Sequence, residues 1–530
     1  MQIHRGPIRF LVLLLIVGGM GASRAVAEGT GSAPAQKPNV LFILADDIGY
    51  GDLSCYGAKL VQTPNIDRLA AQGRRFIDFH TPASTCTPTR YALMTGRYGW
   101  RHEAGSSILK GDAILSIDPK EQTLPATFKR AGYTTGIVGK WHLGLGEKDG
   151  IDWNGDIKPG PLEVGFDYAF YFPATGDRVP CVYIEGHRVV GLKADDPIKV
   201  SYKEKVGDDP TGHDHPELLT LKPTHGHDQT IVNGISRIGY MSGGNSARWV
   251  DEHMCDNLVK KGVAFIEDNK DKPFFLYFAT HNIHVPRVPA PRFRGRSQCG
   301  TRGDSIVELD SAVGELLATL DRLKLTDHTL VIFTSDNGGI MDDGYEDVGN
   351  LAHPCNGVLR GHKGTLFEGG NRVPFISRYP GVIQDGAESS EMFCMVDMEA
   401  TFAAFLGQKL DASAAPDSFN ALDAVMGRPH DKPIRENLVM HNGGTQGPFA
   451  VRNGSWKLLQ RGGGGAGSGG FGRQSDLLAG MKNLAPGPLL FDLSTDVTES
   501  TNLAAANPQK VDELNALLKE LGDRGSSRPQ

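Results

Sequence analysis

Val40-Leu41-Phe42-Ile43-Leu44, followed at once by Ala45-Asp46-Asp47, is the stretch on which the fold turns. A continuous apolar run of this length, without alternation, is what a strand buried on both faces shows. Two later runs have the same form. Pro273-Phe274-Phe275-Leu276-Tyr277-Phe278-Ala279 passes into Thr280-His281-Asn282-Ile283-His284, and Thr329-Leu330-Val331-Ile332-Phe333-Thr334 passes into Ser335-Asp336-Asn337-Gly338-Gly339. Helical stretches lie between them, among them Thr63 to Gly73, with Pro64 early and Gly73 at its stop, and Ile306 to Leu323. Alternating strands and helices predict an α/β fold on a largely parallel sheet. After about residue 415 the texture changes. Phe449-Ala450-Val451-Arg452, Trp456-Lys457-Leu458-Leu459 and Leu489-Leu490-Phe491-Asp492 read as short strands, with the glycine tract Gly462 to Gly472 as a flexible loop among them. The expected organisation is a large α/β domain over 38–415 and a smaller C-terminal α+β domain over 416–530, with an antiparallel sheet and a closing helix over Pro508 to Leu521.

Of 530 residues, 39% are hydrophobic and 22% charged, enough apolar material for a sizeable core. The 55 basic and 62 acidic residues leave a net charge of −7. That excludes a broad basic surface for nucleic acid or anionic lipid, while leaving room for a local cationic pocket. Residues 1–27 read as a signal peptide: His4, Arg5 and Arg9 are positive, Phe10 to Val17 is apolar, and Ala25-Val26-Ala27 offers a small-x-small cleavage site. The apolar run is too short for a membrane span, so export to a periplasm or beyond, without stable membrane insertion, is expected. Residues 28–37 form a flexible lead-in rich in Gly, Ala, Pro and Ser. The seven cysteines are sparse, with no C-x-x-C and no zinc-like spacing, and their odd number leaves a thiol unpaired in a monomer.

Where the acids fall matters more than how many there are. Ligands of open α/β sheets bind just beyond the carboxyl ends of strands. Two strand ends here deliver oxygen donors in pairs, Asp46-Asp47 and Asp336-Asn337. If those strands are neighbours, three carboxylates crowd one crevice, where they repel one another or take up protons unless a cation joins them. A hard divalent ion fits this donor set, Ca²⁺ before Mg²⁺. No histidine adjoins either pair in sequence, which counts against zinc.

Cys86-Thr87-Pro88-Thr89-Arg90 precedes Tyr91-Ala92-Leu93-Met94-Thr95-Gly96-Arg97, a helical stretch that puts Cys86 at a helix N-terminus, where anions are favoured. This segment resembles the signature of the type I sulfatases, C-x-P-x-R followed by x-x-L-x-T-G-R, within the alkaline-phosphatase-like superfamily. The resemblance implies a large α/β sandwich, its central mixed sheet flanked by helices. It also implies oxidation of Cys86 to formylglycine by a maturation enzyme, and one Ca²⁺ held by Asp46, Asp47, Asp336, Asn337 and the oxygen of residue 86. Gly139-Lys140-Trp141-His142-Leu143-Gly144 is similar to the family's second signature, which brings a lysine and a histidine onto the sulfate. Pro173-Ala174-Thr175-Gly176-Asp177 resembles a segment offering a hydroxyl to the site, His284-Val285-Pro286 the family's H-x-P, and Gly361-His362-Lys363-Gly364-Thr365 with Glu368-Gly369-Gly370 its late lysine loop. Trp456-Lys457-Leu458, Asp492-Leu493, Glu499 and Asn502-Leu503 look like its C-terminal strands. Coverage runs from about Pro38 to Leu503.

These residue types suit hydrolysis of a sulfate monoester. The cation, Arg90, Lys140 and Lys363 would neutralise the sulfuryl oxygens. One hydroxyl of a formylglycine gem-diol attacks sulfur, and His284 or Lys363 protonates the leaving oxygen. His142 takes the second hydroxyl's proton as sulfate is expelled and the aldehyde returns. Lys140, Thr175, His284 and Lys363 form the expected substrate-binding set. His281 is expected behind His284, and the histidines at 213, 215, 225 and 227 in a loop lining the mouth. Asn453-Gly454-Ser455 is an N-glycosylation sequon, relevant only in a glycosylating host. A phosphodiesterase or phosphonate monoester hydrolase of the same superfamily, and a silent binding protein with Cys86 left as a thiol, are the competing functions. Export favours a sulfated saccharide over an intracellular metabolite as substrate.

Overall fold

In the computed structural model, which describes residues 37–350, 352–411, 413–460 and 487–528, the Val40–Leu44 run lies inside the strand Asn39–Ala45, every residue of it buried. Alternate side chains enter different cores, as the two-residue period of a strand requires. Val40, Phe42 and Leu44 pack with Leu124, Phe128, Tyr277 and Phe402 on one face of the sheet. Leu41, Ile43 and Ala45 pack with Phe278, Leu309, Leu316 and Phe333 on the other. Each large apolar side chain so buried contributes about 1.5–3 kcal/mol.

From edge to edge the ten-stranded sheet runs Ala387–Ser389, Arg74–Phe76, Phe375–Arg378, Thr329–Ser335, Asn39–Ala45, Phe274–Ala279, Thr134–Lys140, Tyr168–Phe172, Ile184–Glu185 and Arg188–Val189. The five strands from Thr329–Ser335 to Tyr168–Phe172 are mutually parallel, and both flanks turn antiparallel. The sheet is therefore mixed, with a parallel centre. Helices Pro64–Ala71, Met254–Asp268 and Gly300–Arg322 supply one covering layer, and Leu124–Arg130 and Met398–Phe405 the other.

Near the C-terminus, Asn437–His441, Phe449–Asn453, Trp456–Leu459 and Leu489–Asp492 form an antiparallel four-stranded sheet, followed by the helix Pro508–Asp523. Buried charges tie this sheet to the larger one. Lys457 Nζ lies 2.8 Å from Glu368 Oε1 and 2.9 Å from Glu499 Oε1, and Arg452 reaches Asp78 at 2.8 Å. Asp78, His80 and Glu368 lie within 4.8 Å of one another, but Arg372, Arg452 and Lys457 already hold this acidic pair. The expected signal peptide, most of the lead-in and the glycine tract lie outside the described residues. Among the described residues no helix is long and apolar enough to cross a membrane.

Candidate active site

Register brings the site together. Ala45 pairs with Ser335, Leu44 with Ala279, and Ala279 with Gly139, so four parallel strands end level. Asp46-Asp47, Asp336-Asn337, the loop to His284 and Lys140-Trp141-His142 leave side by side at that carboxyl edge. The close fit is visible at Gly139, which has φ of 116° and where a Cβ would stand 1.8 Å from the Ala279 carbonyl oxygen. Asp47 and His142, with φ of 62° and 54°, also adopt the left-handed region. Neither is glycine, so the site stores backbone strain that the surrounding sheet must support.

Cys86 begins the helix Cys86–Thr95, all of whose residues are buried, and Gly96 closes it in the left-handed conformation. One turn in, Arg90 fastens the helix to the sheet edge. Its Nε and Nη2 donate to Asp336 Oδ2 at 2.9 and 2.7 Å, and its Nη1 donates to the Lys140 carbonyl at 3.2 Å. Lys140 Nζ donates to Asp46 Oδ2 at 2.6 Å. Lys363 Nζ bridges Asp47 Oδ2 at 2.9 Å and Asp343 Oδ2 at 2.7 Å. Asn337 Nδ2 donates to Asp47 Oδ1 at 2.7 Å.

Electrostatics separates the neighbouring acids. Burial and the charges of Asp336 and Asp47 push the Asp46 carboxyl above the usual carboxylate range, against the pull of Lys140 and Arg90. Asp47 is shifted the other way: burial is outweighed by Lys363, His284 and Lys140, which hold it well down. Cys86 is pushed up by burial, with Lys140 and Lys363 opposing. Two buried oxygens of the site, Asp46 Oδ1 and Asn337 Oδ1, have no hydrogen-bond partner among the described residues. Orphaned acceptors from two strand ends, among several carboxylates, are a donor set that a hard cation fits.

The histidines carry distinct protons. His142 Nε2 lies 2.9 Å from the Leu109 carbonyl, which can only accept, so Nε2 bears the proton and Nδ1 is left as a lone-pair acceptor. That Nδ1 is buried and has no partner among the described residues. Burial, Lys140 and Arg178 keep His142 neutral, well below its ordinary value. His284 Nδ1 faces the Val285 carbonyl at 2.8 Å, and its Nε2 lies 3.9 Å from Asp47 Oδ2. The absence of a histidine beside the acid pairs in sequence thus does not survive folding: Asp46, Asp47 and His284 place ligand atoms within 4.8 Å of one another. His281 packs against His284, with ring centroids 6.4 Å apart.

Thr175 does not present an unengaged hydroxyl. It donates to Asp177 Oδ1 and accepts from Arg178 Nη1 at 2.7 Å. His227 Nε2 reaches the same Asp177 carboxylate at 2.9 Å, so one member of the histidine-rich segment is structural support, while His213 and His215 are exposed. Asp177, Arg178 and Asp343 carry no site reading from sequence, and His227 is read there only as part of a loop lining the mouth. Asp177 ends the quoted Pro173–Asp177 segment. Asp343 had no local signal, because only the folded loop brings it to Lys363.

A ten-stranded mixed sheet with level strand ends, and a cysteine helix locked to paired acids, defines an alkaline-phosphatase-like hydrolase. The sulfatase family model matches residues 38–407, and the chain belongs to that family; it is a sulfuric ester hydrolase. It is 46% identical over 511 residues, 95% of this chain and 96% of the relative, to an N-acetylgalactosamine-6-O-sulfatase of Bacteroides thetaiotaomicron. It is 33% identical to human arylsulfatase A, covering 95% and 90% of the two chains. A solved Bacteroides thetaiotaomicron structure, from work on the metabolism of multiple glycosaminoglycans, superposes with TM-score 0.86 at 46% identity, covering 92% of this chain and all of that one. Phosphonate monoester hydrolase of Agrobacterium radiobacter shares the fold at TM-score 0.56 and 16% identity, over 93% of this chain and 100% of that one.

Proposed function

We propose that the chain is an exported carbohydrate sulfatase that cleaves a 6-O-sulfate ester of an N-acetylated amino sugar, with formylglycine at position 86 and one Ca²⁺. What carries the substrate class is the 46% identity, over 95% of this chain, to a relative of that activity. In this proposal residues 1–27 are a signal peptide, 38–415 form the catalytic domain and 416–530 the smaller C-terminal domain.

Asp46, Asp47, Asp336, Asn337 and the oxygen of residue 86 would hold the ion, and the orphaned Asp46 Oδ1 and Asn337 Oδ1 support that set. Bound there, the ion supplies Lewis-acid stabilisation of the sulfuryl oxygens. Oxidation of Cys86 by a maturation enzyme supplies a hydrated aldehyde as nucleophile. The chain's own residues do the rest. Lys140 and Lys363 bring positive charge to the ester, and Arg90 orients Asp336. His142 Nδ1 is a buried lone pair on a neutral ring, suited to accept the proton whose loss expels sulfate. His284 or Lys363 protonates the sugar oxygen that departs.

The test combines mass spectrometry of the Cys86 peptide from natively expressed protein with sulfate release from 6-sulfated N-acetylgalactosamine and from an aryl sulfate. An aldehyde at position 86 and turnover of both substrates are expected. An active enzyme retaining an unmodified thiol, or full activity after exhaustive chelation, overturns the proposal.

A further inference from the structure

We infer that Arg178 is a specificity-determining residue that donates to an acceptor oxygen of the sugar beside the reacting ester. The inference rests on the carbohydrate-sulfatase proposal above. Arg178 follows the strand Tyr168–Phe172, which pairs with Thr134–Lys140 so that Phe172 lies opposite Lys140. The strand Tyr168–Phe172 lies three spacings of about 4.8 Å from the strand bearing Asp46 and Asp47, and Arg178 sits in the loop beyond its carboxyl end. From there its charge acts on Cys86, His142 and Asp343.

The guanidinium is held by one corner. Among the described residues its hydrogen bonds all leave from Nη1, to Thr175 Oγ1 at 2.7 Å and to Asp177 Oδ1 and Oδ2 at 3.0 and 3.1 Å. An arginine carries five N–H donors in a fixed fork. The three on Nε and Nη2 therefore remain for a ligand, on a side chain that keeps 16% exposure. Arg90, by contrast, is sealed and fully engaged with the sheet edge.

The support beneath Arg178 is unusually complete. His227 Nε2 faces the Asp177 carboxylate at 2.9 Å, and its Nδ1 faces the His225 carbonyl at 2.7 Å. Both partners are acceptors, an arrangement that favours a proton on each ring nitrogen. Burial works against that charge, and the hydrogen bond and charge of Asp177 raise His227 above its ordinary value. The one carboxylate thus faces both the His227 ring and the Arg178 guanidinium. Backbone bonds from Ile238 N–H to the Asp177 carbonyl at 2.7 Å, and from Val179 N–H to the Ile238 carbonyl at 3.1 Å, clamp the turn.

The side of the site decides what Arg178 meets. Asp177 Oδ1 lies 4.0 Å from His284 Nδ1. On the proposed assignment of His284 as a donor to the leaving oxygen, this cluster stands on the leaving-group side, toward the saccharide.

Kinetics of Arg178→Ala and Arg178→Lys on 6-sulfated N-acetylgalactosamine and on 4-nitrophenyl sulfate test this. With the amino sugar, kcat/KM should fall about 100-fold, mainly through KM, as loss of a charge-assisted hydrogen bond does. With the aryl sulfate the loss should be at least tenfold smaller. Arg178→Lys keeps the buried ion pair and carries the test if Arg178→Ala does not fold; it should recover only part of the saccharide activity, since a point charge does not replace the fork. Parallel losses on both substrates, or undiminished saccharide turnover, overturn the inference and leave the carbohydrate proposal standing. A parent enzyme that hydrolyses the aryl sulfate but no sulfated saccharide overturns both.

Discussion

Arg90 and Asp336, 246 positions apart, meet through a single carboxylate oxygen: Nε at 2.9 Å and Nη2 at 2.7 Å both donate to Oδ2. Neither side chain is exposed. Among the described residues the other oxygen, Oδ1, takes only the Asp47 N–H at 3.4 Å. Arg90 therefore sets the direction of the carboxylate and keeps its own two bonds to one of the two oxygens.

Asp336→Ala should remove activity and weaken metal binding together. It also strands the buried Arg90 charge, which costs about 3–5 kcal/mol when one partner of such a pair is lost. Metal content of the purified variant, sulfate release and a denaturant midpoint read the three effects. A variant that still turns over substrate and keeps its full metal content would remove Asp336 from the ligand set.

Cys86→Ser should stall rather than merely slow. Serine offers one hydroxyl for transfer but no second geminal hydroxyl to expel sulfate. At most about one equivalent of alcohol should appear, with a sulfated serine left behind. A burst experiment with an aryl sulfate, followed by mass analysis of the residue 86 peptide, decides it. Sustained turnover near the parent rate would show that the gem-diol is not the catalytic device.

Glu308 predicts a pH dependence of stability. It accepts from Asn282 Nδ2 at 2.8 Å and from the Ala290 N–H at 3.0 Å, yet burial pushes its carboxyl up to about 7. An unfolded glutamate ionises near 4.5. Between those values the folded chain keeps a proton that the unfolded chain has lost. This contribution is fully present below about pH 4.5 and declines as the pH rises toward 7, by about 3 kcal/mol in all. Urea midpoints measured from about pH 5 to about pH 8 should show that slope in the parent and not in Glu308→Gln. Identical slopes in the two proteins would rule out Glu308 as its source.

Lys457→Met should loosen the join between the two sheets. Glu368 and Glu499 share its ammonium at 2.8 and 2.9 Å, and Glu499 Oε2 also accepts the Glu368 N–H at 2.6 Å. Without the lysine two carboxylates face each other under cover, a loss of about 3–5 kcal/mol. Because Glu368 follows the Lys363 loop, hydrogen exchange should rise there as well as in the strand Trp456–Leu459. Exchange confined to the small sheet would show that the lysine loop is held independently.

Much of the frame was legible because its causes are local. Val40–Leu44, Pro273–Ala279 and Thr329–Thr334 announce buried strands by composition; the first and third lie within observed strands, and the second begins one residue ahead of its strand. The helix begins at Cys86 itself, where the motif placed it, and Gly96 ends it at φ 61°. The antiparallel flanks of the large sheet were not legible. Short segments such as Arg74–Phe76 and Phe375–Arg378 carry no pattern that states which neighbour they join or in which direction.

By itself, the sequence determined the parallel centre of the sheet, the acid pairs at its strand ends and the cysteine at the head of a helix. Each depends on residues within a few positions of one another, where periodicity and capping act. Only the tertiary structure decided that Arg90 spends its fork on Asp336, that Lys363 joins Asp47 to Asp343, that His284 stands beside Asp47, and that His227 supports Asp177 and Arg178. Those pairings span tens to hundreds of positions. They depend on strand register and loop packing, which bring charges within hydrogen-bond reach only after the whole core has closed.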